Sequence, residues 1–295
     1  MKIVVSGSSG QLGRDCTQIL ERKYDVVPLN SKQLDITNPG NVEEVLRSIN
    51  PSVILNCAAY TKVDECETKK ELAWKVNLEG ARNLALASQK YGALLIHLST
   101  DYVFDGTKKP PEPYGEDDTP NPRSYYGKSK FEGERAICTI TNRHAIVRTA
   151  WLYGAYGHNF LKTMLRLAVN DPKKEIKVVN DQFGSPTWSF TLALQIEKLI
   201  EVNGQGIYHA TSEGYCTWYE FASYFLQHMG VPHRVSPCTS EEYPTPASRP
   251  KNSILENQHL KKEGINLMRH WQDDLDHFLS TYREHLLKEA KPTVL

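Results

Sequence analysis

The chain is expected to be an α/β protein: a doubly wound parallel sheet followed by a smaller C-terminal α+β unit. Three observations predict this. Short apolar runs alternate with helical patterns through the first 150 residues. A glycine-rich turn directly follows the first run. The residues with evident chemistry all fall just after apolar runs, which a parallel sheet brings to one edge, where such sheets bind their ligands.

Residues 2–6, KIVVS, read as the first strand. They lead into Gly7-Ser8-Ser9-Gly10-Gln11-Leu12-Gly13 and a helical pattern through Cys16, Ile19 and Leu20. A G-x-x-G-x-x-G turn between strand and helix lets backbone approach a pyrophosphate closely. The helix start then offers free N–H groups and a positive dipole end. The turn reads as the opening of a dinucleotide site, with a plain βα turn as the alternative. Tyr24 to Leu29 is the second strand. It ends in Asn30-Ser31-Lys32, without the acid that often holds a ribose 2′-hydroxyl. Lys32 is either a partner for a 2′-phosphate or a solvated loop lysine. Asp35 is placed to meet the adenine amine. Thr37-Asn38-Pro39 starts a helix through Val42, Val45, Leu46 and Ile49, and Val53 to Ala59 is the third strand. Ala58 and Ala59 let a flat cofactor lie against the backbone. A long helix is expected from about Lys69 to Lys90, with Leu72, Val76, Leu84 and Leu86 as apolar positions and Asn77 within it.

Ala93 to Leu98, an unbroken apolar run, suits a central parallel strand and ends at Ser99-Thr100. After a loop rich in Pro, Gly and acids comes Tyr126-x-x-x-Lys130, where i and i+4 share a helix face. An ammonium there favours the phenolate of a nearby tyrosine and draws its pKa below about 10. His144 to Arg148 is the fifth strand, leading to Trp151. Beyond residue 150 come a helix (Phe160 to Val169), a strand (Ile176 to Val179), a polar turn (Asn180 to Thr187), a short strand (Gly206 to His209) and an amphipathic helix (Trp218 to Met229). Ser236 to Pro250, with four prolines and Arg249, reads as a loop or linker, and Trp271 to Lys288 as a closing helix. Residues 1–150 are thus assigned to an NAD(P)-binding Rossmann domain and 151–295 mainly to a substrate-binding cap, with some segments returning to the first domain.

Lys plus Arg and Asp plus Glu both number 35, so the balance favours neither nucleic acid nor a membrane surface as partner. No run approaches 18 apolar residues, and the N-terminus turns into the glycine loop too soon for a signal peptide. The six cysteines are scattered without a C-x-x-C pair or a neighbouring histidine at ligand spacing. A reduced, cytoplasmic protein without a structural metal is expected. His97, at the end of an apolar run, reads as a packed residue.

The glycine triplet, Thr100 and the Tyr126/Lys130 pair together resemble the extended short-chain dehydrogenase/reductase superfamily. More narrowly, STDYVFDG (99–106), YYGKSK (125–130), RTAWLYG (148–154), DQFGSPT (181–187) and RPKNSIL (249–255) are similar to the dTDP-4-dehydrorhamnose reductase family. The resemblance runs from residue 2 to about 280. It implies reduction of a dTDP-linked 4-ketosugar to dTDP-L-rhamnose by hydride from NADPH or NADH, with Thr100 bonding the substrate carbonyl, Tyr126 donating the proton to the C4 oxygen and Lys130 holding the nicotinamide ribose. It implies a cofactor bed of Gly7, Ser9, Gly10, Gln11, Leu12, Gly13, Asn30, Ser31, Asp35, Ile36, Ala58, Ala59, Tyr60, Thr61, Asn77, Tyr126 and Lys130. Thr100, Asp101, Tyr102, Tyr126 and Trp151 are implied substrate contacts. Arg249 is either a diphosphate ligand or a surface arginine in a Pro-rich loop. Asp101-Tyr102 stands where sugar-nucleotide 4,6-dehydratases carry Asp-Glu, so the acid and base of water elimination are incomplete. Some family members bind Mg2+ through acids that have no match here, so no metal is expected, and a homodimer is the assembly the resemblance allows. A cofactor-binding regulatory subunit of the same fold is the non-catalytic alternative.

Overall fold

Six parallel strands form the central sheet of the computed structural model, which describes residues 1–291. Residues 292–295, the end of the expected cap range, lie outside it. β1 (Lys2–Ser6), α1 (Gln11–Leu20), β2 (Asp25–Leu29), α2 (Pro39–Ile49) and β3 (Val53–Asn56) open the chain. β1 pairs with β2 on one side and β3 on the other. The winding therefore reverses between β1 and β3, and the crevice outside their carboxyl ends is the place for a ligand. Short helices α3 (Val63–Cys66) and α4 (Lys70–Trp74) and α5 (Gly80–Tyr91) lead to β4 (Leu94–Thr100). α6 (Tyr125–Ile140) leads to β5 (His144–Thr149).

The second half contributes to both units. β6 (Leu152–Tyr153), α7 (Phe160–Asn170), β7 (Glu175–Val179), β8 (Phe183–Gly184) and β9 (Thr187–Trp188) leave the sheet. α8 (Ser189–Glu201) and β10 (Gly206–His209) return to it, giving the order β10-β5-β4-β3-β1-β2. β11 (Cys216–Thr217), α9 (Trp218–Met229), β12 (Arg234–Cys238), α10 (Gln258–Lys262) and α11 (Trp271–Ala290) complete the chain.

Successive strand residues point to opposite faces. Ile3, Val5, Leu55 and Ile96 pack with Leu12 and Ile19 of α1 and Leu192 and Ile196 of α8. Val4, Ile54 and Leu95 pack with Leu46, Leu84 and Ile137 on the other face. Both faces are covered, which is why the strands read as continuous apolar runs. A separate core of Leu165, Phe221, Phe225, Leu275 and Phe278 joins α7, α9 and α11.

Three expectations are corrected. The helix from Lys69 to Lys90 is interrupted by a π-helical turn, Lys75–Glu79, and Leu72 and Leu86 are exposed rather than apolar contacts. β4 extends past Leu98 to Thr100. Ser236 to Cys238 are strand, not linker: β12 pairs in parallel with β7. Pro237 fits because a two-stranded ribbon consists only of edges, where a missing N–H is tolerated. Among the described residues no helix is long and apolar enough to cross a membrane.

Candidate active site

The turn from β1 to α1 can only be built with glycine. Gly7 has φ +68°, and a Cβ there would sit 2.7 Å from the Ala58 nitrogen. A Cβ on Gly13 would lie 2.3 Å from the Gly7 carbonyl oxygen. The turn is thereby pressed against the end of β3, across the switch point. Gly10 occupies the N-cap of α1 without a capping side chain, and no acid stands in the first turn. The helix start therefore keeps unsatisfied N–H groups and an uncompensated dipole, the donor set a pyrophosphate requires.

A cavity of about 930 Å³ runs from this turn across the ends of the strands to the C-terminal unit. It gathers Gly10, Gln11, Leu12, Gly13, Ala59, Thr61, Thr100, Asp101, Tyr102, Tyr126, Lys130, Trp151 and Arg249. Other expected cofactor residues lie elsewhere. Ser9 is exposed on the turn, and Ala58 backs Gly7. Asn30, Ser31 and Asp35 follow β2 outside the cavity. The Asn30 side chain accepts from Lys32 N, and Asp35 accepts from the amide and hydroxyl of Thr37. Ile36 is turned into the core against Gly80 of α5. Asn77 is buried in the π-helical turn, and its amide is spent on protein: it accepts from Tyr60 N at 2.8 Å and donates to Tyr60 O and to Ser129 Oγ. It clamps the loop after β3 instead of lining the cavity. Interrupted helices at functional sites commonly serve such shaping.

Ser124 caps α6, accepting from Gly127 N, which starts the helix where Tyr126 and Lys130 point inward. Burial pushes the Tyr126 phenol well above its usual range, and the nearby Thr100 hydroxyl offsets only part of this. The expected pull of Lys130 on that phenol is absent from this arrangement, because Lys130 Nζ donates to Leu98 O at 2.6 Å and faces His97 Nε2 at 3.2 Å. Burial brings Lys130 itself down to about 8. Thr100 Oγ1 donates to Asp101 at 3.0 Å and accepts from Tyr102 N. Asp101 is buried with one carboxylate oxygen unpartnered among the described residues, and burial raises its carboxyl to about 6. Tyr102 meets the Tyr126 ring edge-on at 5.7 Å. Arg249 lies in the cavity wall with its guanidinium bound in two places to Asp64, at 3.2 and 2.9 Å. Much of its charge is met before any ligand arrives.

The far wall was only partly legible. Trp151, at φ +46°, stacks on Trp218 with ring centroids 3.5 Å apart. Trp218, Thr149, Lys177, Gln182, Tyr243 and Thr245 also line the cavity and were missed. The capping box Thr217-x-x-Glu220 marks the start of α9 in sequence, but not the direction in which Trp218 points. Thr149 is the register partner of Thr100, which only the strand pairing reveals.

A glycine-loop dinucleotide crevice joined to a buried Thr, Tyr and Lys set defines the extended short-chain dehydrogenase/reductase class. Within it, residues 1–284 match the family described as the RmlD substrate binding domain, and the chain belongs to that family. It is 43% identical to a dTDP-4-dehydrorhamnose reductase of Streptomyces griseus, over 91% of this chain and 90% of the relative. It is 39% identical to a dTDP-4-keto-6-deoxy-D-glucose reductase of Streptomyces niveus, over 91% and 93%. The crystal structure of the Bacillus anthracis dTDP-4-dehydrorhamnose reductase in complex with NADP superimposes with a TM-score of 0.92 at 43% identity, covering 95% of this chain and 99% of that one.

Proposed function

We propose that this chain reduces the C4 ketone of dTDP-4-dehydro-L-rhamnose to give dTDP-L-rhamnose, with NADPH or NADH as reductant, in nucleotide-sugar biosynthesis in the cytoplasm. The observation that carries the reading is one cavity in which Thr100, Tyr126 and Lys130 lie between an uncapped glycine-loop helix and a tryptophan wall. Gly10 to Gly13 would hold the dinucleotide, and the 151–295 cap closes the substrate side of the cavity with Trp151, Trp218 and Arg249. When bound, the nicotinamide supplies a hydride to the ketone carbon.

The chain's own residues handle the charge that develops on oxygen. Burial holds Tyr126 as a neutral phenol, so it meets substrate carrying its proton. Tyr126 gives that proton to the C4 oxygen while the Thr100 hydroxyl, turned from Asp101, donates to the same oxygen. Once protonated and turned from Leu98 O toward the site, Lys130 would stabilise the tyrosinate left behind. Asp101 and Tyr102 face the sugar, and Arg249 contacts the nucleotide diphosphate beside its Asp64 partner. A second reading, another dTDP-linked 4-ketosugar as substrate, is favoured by the likeness to the Streptomyces niveus enzyme. Purified protein given dTDP-4-dehydro-L-rhamnose is expected to oxidise NADPH, and Tyr126→Phe is expected to lower kcat about 10²- to 10⁴-fold while leaving the protein folded. Unchanged turnover in Tyr126→Phe removes the proposed proton donor.

A further inference from the structure

A row of buried polar groups crosses the sheet beneath the site. Ser6, Asn56 and His97 are register neighbours on β1, β3 and β4, and each is at most 1% exposed. Such groups at the centre of an otherwise apolar parallel sheet are costly unless their hydrogen bonds are complete. Their donors and acceptors can be assigned without ambiguity. Asn56 Oδ1 accepts from Ala58 N at 3.1 Å, a backbone N–H that can only donate, and from Ser6 Oγ at 2.7 Å. The Asn56 amide cannot therefore be flipped, and Nδ2 is the atom 2.9 Å from His97 Nδ1. An amide nitrogen donates, so His97 Nδ1 carries a lone pair. A neutral imidazole then bears its hydrogen on Nε2. That atom faces Lys130 Nζ at 3.2 Å.

An ammonium has only donors, so it would meet the Nε2–H head-on. A neutral amine accepts from Nε2–H through its lone pair and still donates to Leu98 O. We infer that His97 is a positioning residue that acts through Lys130: fixed by Asn56 as the Nε2–H tautomer, it makes the neutral amine the matched form of Lys130, so that this lysine exchanges a proton readily within the working pH range. Burial acts in the same direction on both groups, holding His97 well below its usual value and lowering Lys130. Glu134, one turn along α6, and Cys57, just after β3, oppose the lowering of Lys130. The Glu134 charge is shared with Arg148 of β5 and Ser99 of β4. Tyr126, one turn back on α6, is held neutral by burial. The consequence, that a charged and a neutral Lys130 interconvert during turnover, rests on the function proposed above, but the tautomer does not.

Two substitutions reverse the pattern. Asn56→Asp puts a carboxylate beside His97 Nδ1, draws the hydrogen there and turns the Nε2 lone pair toward Lys130. His97→Gln can present a carbonyl oxygen to the same amine. Both make the ammonium the matched form. The test is heteronuclear NMR on the cofactor-free protein, with ¹⁵N-labelled histidine for the tautomer and labelled lysine for the Lys130 titration. The expected result is an Nε2–H His97 across pH 6–9 and a Lys130 midpoint that rises by about one unit or more in either variant. An Nδ1–H or doubly protonated His97, or a Lys130 midpoint unmoved in the variant that folds, overturns the inference. Both readouts are independent of turnover, so failure of the proposed activity is seen separately, as absent NADPH oxidation by the unmodified protein.

Discussion

Asn77→Ala tests how the cavity is shaped. The Asn77 side chain makes three hydrogen bonds, two of them to the backbone of Tyr60 and one to Ser129 Oγ. Truncation leaves the Tyr60 N–H and C=O without their partners in a half-buried loop. At about 1–2 kcal/mol for each stranded group, the expected loss of stability is about 2–4 kcal/mol. Urea unfolding should show a lower midpoint with an unchanged slope. The freed loop carries Ala59 and Thr61, which line the cavity beside the glycine turn. The KM for NADPH should therefore rise about tenfold, equivalent to about 1.4 kcal/mol, with kcat little altered because Asn77 does not reach the reacting atoms. Asn77→Asp should be nearly as harmful, since it opposes an acceptor to the Tyr60 carbonyl. A stability loss below about 0.5 kcal/mol together with an unchanged KM would refute the clamp.

Gly13→Ala should abolish measurable NADPH binding in a fluorescence titration, because its methyl group would collide with the Gly7 carbonyl and force the turn open. Asp101→Asn should lower activity yet stabilise the fold. The buried carboxyl is raised to about 6, so the folded protein binds its proton more tightly than the unfolded chain, and stability from this group is lost as pH rises from about 4 through 6. Removing the charge should recover about 3 kcal/mol at pH 7 and flatten that part of the pH–stability curve. Glu134→Gln should cost about 3–5 kcal/mol in chemical denaturation, because Arg148 and Glu134, each 2% exposed at the side chain, are a buried pair and the guanidinium would be left uncompensated.

The features legible in sequence are those carried by local spacing. Gly7 to Gly13 sit within one turn, Tyr126 and Lys130 are one helical turn apart, and the buried strands are apolar throughout because both sheet faces are covered. What sequence hid depends on partners far along the chain. Asn77 reads as an ordinary helix residue, and its role appears only when Tyr60 and Ser129 are brought to it. The helical span from Lys69 to Lys90 is legible, but periodicity does not register the single π-helical turn within it. Trp218 was absorbed into an amphipathic helix, although its ring lies flat on Trp151. Arg249 stood out as a lone cation, while its tie to Asp64 crosses 185 residues. The apolar run before His97 accounts for its burial but is silent about Lys130, 33 residues away.

Product identification tests the reduction most directly. Protein incubated with dTDP-4-dehydro-L-rhamnose and NADPH, and the nucleotide sugar then examined by proton NMR, should give dTDP-L-rhamnose with one NADPH consumed for each sugar. Tight NADPH binding with the ketosugar returned unchanged would contradict the account.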